Sequence, residues 1–140
     1  MHMTAKAFIG TWRLIEYAFL HRDGLIEKPW GDEVFGYLLY SAEGYMSGNL
    51  SPAGSKRAAL KTAARRVRGT RDYIAYSGRY TVKDDTVTHH VEVSLFPNWV
   101  GLPQVRFYSL EGDWLVLRTP PIESDKGMVT AQLTWERVRS

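Results

Sequence analysis

Residues 87–108 gather more groups able to do chemistry than any other stretch of the chain. They hold His89 and His90 side by side, then Glu92, Asn98, Trp99, Gln104 and Arg106, all within an otherwise apolar strand pattern. An imidazole titrates near neutrality and can donate, accept or transfer a proton. Two adjacent histidines therefore suggest a shared site, but strand geometry separates them, because successive side chains point to opposite faces. One face of Thr86–Phe96 carries Val87, His89, Val91, Val93 and Leu95; the other carries Thr86, Thr88, His90, Glu92, Ser94 and Phe96. With the apolar face inward, His89 is one polar group among aliphatics. It is then either a core histidine satisfied by a hydrogen bond or a group that meets a bound ligand as donor, acceptor or general acid–base. His90 and Glu92 face water in that arrangement. With the opposite parity they become an acid–base pair, so the catalytic candidates are His89, His90 and Glu92.

The rest of the stretch offers binding rather than proton transfer. Both faces of Gln104-Val105-Arg106-Phe107-Tyr108 are mixed, and alternation does not choose between them. Facing outward, Arg106 is an ordinary surface charge. Facing inward, it needs a carboxylate, an anionic ligand or several carbonyls, because an unpaired buried charge is costly. Glu16 and Arg79 are the groups expected to meet it. Asn98 and Trp99 sit at a corner and either make the turn or line a cavity mouth. Tyr37, Tyr45, Met46, Tyr80 and Tyr108 are expected in the core or on a cavity wall. The ligand-binding candidates are thus Tyr37, Met46, Tyr80, His89, Asn98, Trp99, Gln104 and Arg106. Metal binding is not expected: His89 and His90 cannot chelate one ion from one strand, and no third ligand stands at useful spacing.

The elements that position these groups read as strands with short connections. Alternating, aromatic-rich runs mark Thr11–Leu20, Val34–Ser41, Tyr45–Leu50, Tyr76–Lys83, Thr86–Phe96, Leu102–Leu110, Trp114–Thr119 and Met128–Val138. Turn signals separate them, among them Ala42-Glu43-Gly44, Asp84-Asp85 and Glu111-Gly112-Asp113. After the third strand the period changes. Leu60, Ala63, Ala64 and Val67 form a narrow apolar stripe on a helix over 56–68, with Ser55 as N-cap and Gly69 as C-cap. A short helical turn is expected over 71–75. Eight strands in hairpin order remove their exposed edges most simply by closing into an up-and-down antiparallel barrel, which at that strand number is either filled or holds one small ligand. The expected fold is all-β, a single domain over residues 1–140 with one helix inserted after the third strand.

Composition narrows the function classes. The chain has 140 residues, 5 Trp, 8 Tyr and no cysteine, so disulfides, thiolate metal sites and cysteine nucleophiles are out. No apolar run of signal-peptide or membrane-span length is present, and a soluble cytoplasmic protein without stable membrane insertion is expected. The net charge of +3 hides an asymmetry. Lys56, Arg57, Lys61, Arg65, Arg66, Arg68 and Arg71 supply the excess, and no acidic residue lies between Glu43 and Asp72. A basic helix of this kind is a solvated flank of the barrel, or it captures an anionic ligand, an acidic partner or a membrane surface. Nucleic acid is not expected, since no aromatic residue interleaves the basic run. Gly-x-Ser-x-Gly, phosphate-loop and dinucleotide signatures are all absent, and no cofactor is expected.

Gly10-Thr11-Trp12 resembles the Gly-x-Trp start of lipocalin-like proteins. In that family the Trp plugs the closed end of the barrel and a basic residue of the last strand packs across it, which implies a pairing of Trp12 with Arg137. Gly44-Tyr45-Met46-Ser47, Tyr76-Ser77-Gly78-Arg79-Tyr80, Thr88-His89-His90-Val91-Glu92, Phe96-Pro97-Asn98-Trp99-Val100-Gly101 and Gln104-Val105-Arg106 resemble a bacterial and fungal family of single-domain lipocalin-like proteins. The resemblance spans nearly the whole chain and implies the barrel; most members of that family have no assigned activity.

Three readings of function follow. The first is a binding module that holds a small hydrophobic molecule with a polar or anionic handle oriented by His89, Arg106 and Gln104. The second is a cofactor-free isomerase, cyclase or hydratase of secondary metabolism, in which His89, or the His90–Glu92 pair, moves protons and Arg106 or a tyrosine stabilises an oxyanion. The third is self-association, a homodimer formed through an exposed strand face.

Overall fold

In the computed structural model, which describes residues 2–52 and 73–139, the chain opens with a short helix, α1 (His2–Phe8), and then forms strands throughout. These are β1 (Gly10–His21), β2 (Ile26–Glu27), β3 (Val34–Tyr40), β4 (Tyr45–Pro52), β5 (Ile74–Lys83), β6 (Thr86–Ser94), β7 (Pro103–Glu111), β8 (Trp114–Arg118), β9 (Ile122–Ser124) and β10 (Gly127–Arg137). Eight of them pair antiparallel in the order β1-β3-β4-β5-β6-β7-β8-β10, and β10 pairs back onto β1, which closes the barrel. The two-residue β2 and three-residue β9 extend the edges of β1 and β10 near one end. The expected helix over 56–68 lies outside the described residues. The helical turn expected over 71–75 is not formed at its described end, because Ile74 and Ala75 already belong to β5, paired with Leu50 and Asn49.

Two register shifts decide which side chains face inward. In β1 the ladder to β10 skips Ile15, passing from Leu14↔Trp135 to Glu16↔Thr134. An extra residue of this kind flips the alternation beyond it. Without the shift Glu16 would follow Trp12 and Leu14 into the barrel; with it Tyr17 and Phe19 do so instead. In β6 the ladder to β5 skips Glu92, between Gly78↔Val91 and Ser77↔Val93. Val87, His89 and Val91 are buried as alternation predicts, but Val93 is 65% exposed and Leu95 also faces solvent. The inward face expected for the whole of 87–95 therefore ends at Val91. Gly78 is required at this bulge, since a Cβ on it would lie 1.9 Å from the carbonyl oxygen of His90.

The strand ends near residues 10–12, 40–46, 108–115 and 135–137 form the closed end. Trp12 is fully buried and its indole N–H donates to the Phe8 carbonyl at 2.9 Å. The Arg137 guanidinium lies 4.3 Å from the Trp12 ring centre and donates to the carbonyls of Ile9 (2.9 Å) and Ala7 (2.8 Å). Gly10, at φ +140°, makes room: a Cβ there would come within 2.9 Å of the Arg137 Nη1. Phe8 completes the plug, fully buried and edge-on to Tyr40 (5.3 Å) and Tyr108 (4.9 Å). Burying a Phe is worth about 2–3 kcal/mol, enough to hold a two-turn helix that would not persist alone. No helix among the described residues is long and apolar enough to cross a membrane.

Candidate functional site

Above the plug the barrel is hollow. A cavity of about 620 Å³, within the usual range for small-molecule sites, is walled by residues of every barrel strand. Its inner part is apolar: Leu38, Met46, Leu50, Leu117, Ala131, Leu133 and the ring of Trp135. Tyr17 and Phe19 join them because of the bulge at Ile15. The outer part carries Trp99, Pro103, Pro120 and Ile122, of which the last three are exposed, so the cavity opens at this end. Pro52 and Ile74, which flank the segment outside the described residues, lie toward the same end.

Three polar groups of β6 and β7 interrupt the apolar wall. His89, Gln104 and Arg106 all line the cavity, and His89 and Gln104 are ladder partners. The Arg106 guanidinium donates to the Val105 carbonyl at 2.9 Å and to Gln104 Oε1 at 3.1 Å. Among the described residues no carboxylate lies within ion-pair distance of it. Glu16 is turned out by the β1 bulge and pairs with Lys28 at 3.2 Å; Arg79 lies outside the barrel near Glu92 at 3.6 Å. Neither of the partners expected for Arg106 is therefore available.

His89 is buried, and both of its ring nitrogens are engaged. Nε2 lies 2.6 Å from the Tyr40 hydroxyl and Nδ1 lies 2.7 Å from the Tyr76 hydroxyl. Burial pushes its pKa down to about 3, and the charge of Arg106 adds to the effect. The imidazole is neutral at physiological pH. The same guanidinium opposes the effect of burial on three tyrosines. Tyr17 is raised to about 12, chiefly by burial. Tyr76 is raised by burial and Tyr40 lies well above its ordinary value, again with burial as the first cause. All three remain protonated phenols at neutral pH, with the positive charge among them.

The other candidates are placed as follows. His90 and Glu92 are exposed: His90 Nε2 sits 3.0 Å from Thr81 Oγ1, and Glu92 accepts from the Arg79 backbone N–H at 3.1 Å. They do not share the cavity with His89. Met46 and Trp99 line the cavity, and Trp99 packs on Tyr76 with ring centres 5.9 Å apart. Tyr80 points inward but lies below the cavity, its ring 4.7 Å from Tyr40 and its hydroxyl donating to the Ser41 carbonyl at 3.0 Å. Tyr37, expected on the cavity wall, instead occupies the outer face of β3 between inward-facing neighbours and is 50% exposed. Asn98 is likewise exposed, in the single 3-10 turn Pro97–Trp99, and does not reach the cavity. Tyr45 is exposed, beneath the Arg79 guanidinium, while Tyr108 packs on Phe8. No cluster of three or more His, Asp or Glu suited to a metal ion occurs among the described residues.

Tyr40 and Tyr76, which hold His89, were not singled out from the sequence. A signal for Tyr76 existed: it shares alternation with Tyr80 along β5. Tyr40 and His89 are 49 residues apart, and only the closed barrel brings them together.

Comparison with known proteins agrees with this architecture. The sequence model of the lipocalin-like domain matches residues 9–138. The 4'-hydroxy-3'-methoxypropiophenone carrier protein ppsC of Aspergillus oryzae is 39% identical over 77 residues, covering 49% of this chain and 69% of that protein. A crystal structure of a lipocalin-like protein from Bacteroides uniformis superposes with a TM-score of 0.51 at 15% identity, covering 94% of this chain and 99% of the other. That identity speaks to the fold alone. With a closed eight-stranded barrel, a Gly-x-Trp plug crossed by arginine, and a domain match over nearly its whole length, the chain belongs to the lipocalin-like domain family.

Proposed function

We propose that this protein binds a small, largely apolar molecule whose polar or anionic handle meets Arg106 and Gln104 inside the barrel. The observation that carries the reading is Arg106 itself, a guanidinium on the wall of an apolar cavity with no carboxylate beside it among the described residues. Such a charge is costly to leave unpaired, and an incoming anionic or strongly dipolar oxygen relieves that cost. Apolar walls then supply affinity at ~25 cal/mol per Å² of ligand surface buried. The name of the Aspergillus relative, a carrier, supports binding, and its aryl ketone is the natural first probe.

The test is titration of the purified protein with 4'-hydroxy-3'-methoxypropiophenone and with a panel of naphthoates and phenylpropanoates, read by tryptophan fluorescence and native mass spectrometry. Saturable one-to-one binding that weakens in Arg106→Met is expected. Lack of saturable binding across the panel, or binding indifferent to Arg106, sinks the reading. Recovering each bound compound unchanged after prolonged incubation separates carriage from conversion. The geometry does not favour catalysis by His89: both nitrogens are held by tyrosines, and an imidazole with a pKa of about 3 is a weak base.

A further inference from the structure

The Tyr40–His89–Tyr76 chain has only one arrangement of protons that leaves no buried donor unsatisfied. A neutral imidazole has one N–H and one bare nitrogen, and each phenol has one proton to place. Suppose Nε2 carried the hydrogen. It would donate to Tyr40, and the Tyr40 hydroxyl proton would need another acceptor. Tyr40 is 2% exposed, and its hydroxyl has no other hydrogen-bond partner among the described residues. The alternative satisfies every buried group. Tyr40 donates to Nε2, Nδ1–H donates to the Tyr76 oxygen, and the proton left over is that of Tyr76. Tyr76 is half-buried and lines the cavity, on the same wall region as Arg106 and Gln104.

Building on the binding reading above, we infer that the Tyr40–His89–Tyr76 relay fixes Tyr76 as a hydrogen-bond donor into the cavity and makes the site selective for ligands that present an acceptor oxygen, a carbonyl, carboxylate or phenolate, to Tyr76 and Arg106. The polarity is set from the closed end. Tyr40 is locked by burial, it locks the imidazole tautomer, and the tautomer leaves Tyr76 free to donate outward. A ligand that offers only a donor at this point forces one phenolic proton of the relay to lose its acceptor. Tyr76 is accordingly a specificity residue, and His89 a positioning residue whose two ring nitrogens are both taken by tyrosines.

Two measurements test this independently. Long-range ¹H–¹⁵N correlation NMR on the ligand-free full chain, with His89 assigned by loss of its signals in His89→Gln, reads the tautomer directly. A protonated Nδ1 and a bare Nε2 are expected; the reverse overturns the relay whatever the protein binds. The second compares 2-acetylnaphthalene with 2-isopropenylnaphthalene, which replaces the carbonyl oxygen by a methylene of similar shape. The comparison is made in Arg106→Met/Gln104→Leu, which removes the other two polar side chains that the binding reading assigns to the handle. The ketone should bind about five- to tenfold more tightly, the net worth of one hydrogen bond, and adding Tyr76→Phe should erase the difference. A preference that survives Tyr76→Phe, or equal binding of the two before it, overturns the proposal. Failure of both compounds and of naphthoate to bind the wild type instead refutes the binding reading, with the tautomer still decided by NMR.

Discussion

Replacing Arg106 by Met should cost ligand affinity while leaving stability nearly unchanged. Met keeps most of the aliphatic stem and removes the guanidinium. In the free protein this group makes two hydrogen bonds, to Val105 and Gln104, and has no carboxylate partner among the described residues. These charge-assisted bonds are worth about 1.5–3 kcal/mol each, while holding a cation against apolar walls costs several kcal/mol. Because Arg106 is only half-buried, water screens both sides of this balance, which comes out near neutral. The melting temperature should stay within roughly 4 °C of the wild type. A carboxylate ligand should lose about 1.5–3 kcal/mol, or roughly 10–150-fold in Kd, the worth of hydrogen bonds to a charged group. Its methyl ester should lose much less. Differential scanning fluorimetry and isothermal titration calorimetry on the acid–ester pair read both quantities. A variant that melts well below the wild type, yet binds the carboxylate as tightly, would show that the guanidinium is structural and would refute the argument.

Other consequences are as direct. Because the folded pKa of His89 is depressed to about 3 while its unfolded value is near 6.5, the unfolded chain takes up a proton first as pH falls; stability should drop below pH 6.5 by about 1.4 kcal/mol per unit from this residue, roughly 2 kcal/mol between pH 7 and 5. In urea unfolding, His89→Gln should lose that part of the slope, and an unchanged slope would contradict a neutral buried imidazole. Gly78→Ala should prevent folding or cost more than about 4 kcal/mol, since the methyl meets backbone rather than a flexible side chain; circular dichroism and melting would show it. Arg137→Ala should cost about 2–4 kcal/mol in thermal unfolding by removing two carbonyl hydrogen bonds and the contact with Trp12, with ligand affinity little changed because the plug lies away from the mouth.

The sequence carried the barrel because alternation is a local property. Val87, His89 and Val91 announce an inward face through residue types alone, while the plug of Trp12 and Arg137 was legible only through the resemblance to lipocalin-like proteins. It did not carry the bulges. A single extra residue at Ile15 or Glu92 reverses every side chain beyond it and leaves no compositional trace, which is why Glu16 faces out, Tyr17 faces in and Leu95 is wet. Tyr37 misled for a different reason. An aromatic residue suits either face of a strand, and Phe35, Tyr37 and Leu39 make the outer face of β3 as apolar as the inner one. α1 was invisible because its one committed core residue, Phe8, has no periodic companion in so short a helix. The hydrogen bond between Tyr40 and His89 joins residues 49 apart in the chain, and no spacing rule reaches it.

The seam between β1 and β10 also governs how the protein can be made. Its ladder runs from Trp12↔Arg137 to His21↔Val129, and the bond from Arg137 to Ile9 spans 128 residues. While the last strand is still inside the ribosome, β1 and β8 are both unpaired edges, and the cavity wall is open along its length. The nascent chain therefore exposes open strand edges until β10 emerges, and β1 must wait for it. Closure waits for the emergence of β10, so Trp12 and Trp135 should become shielded together as the seam zips.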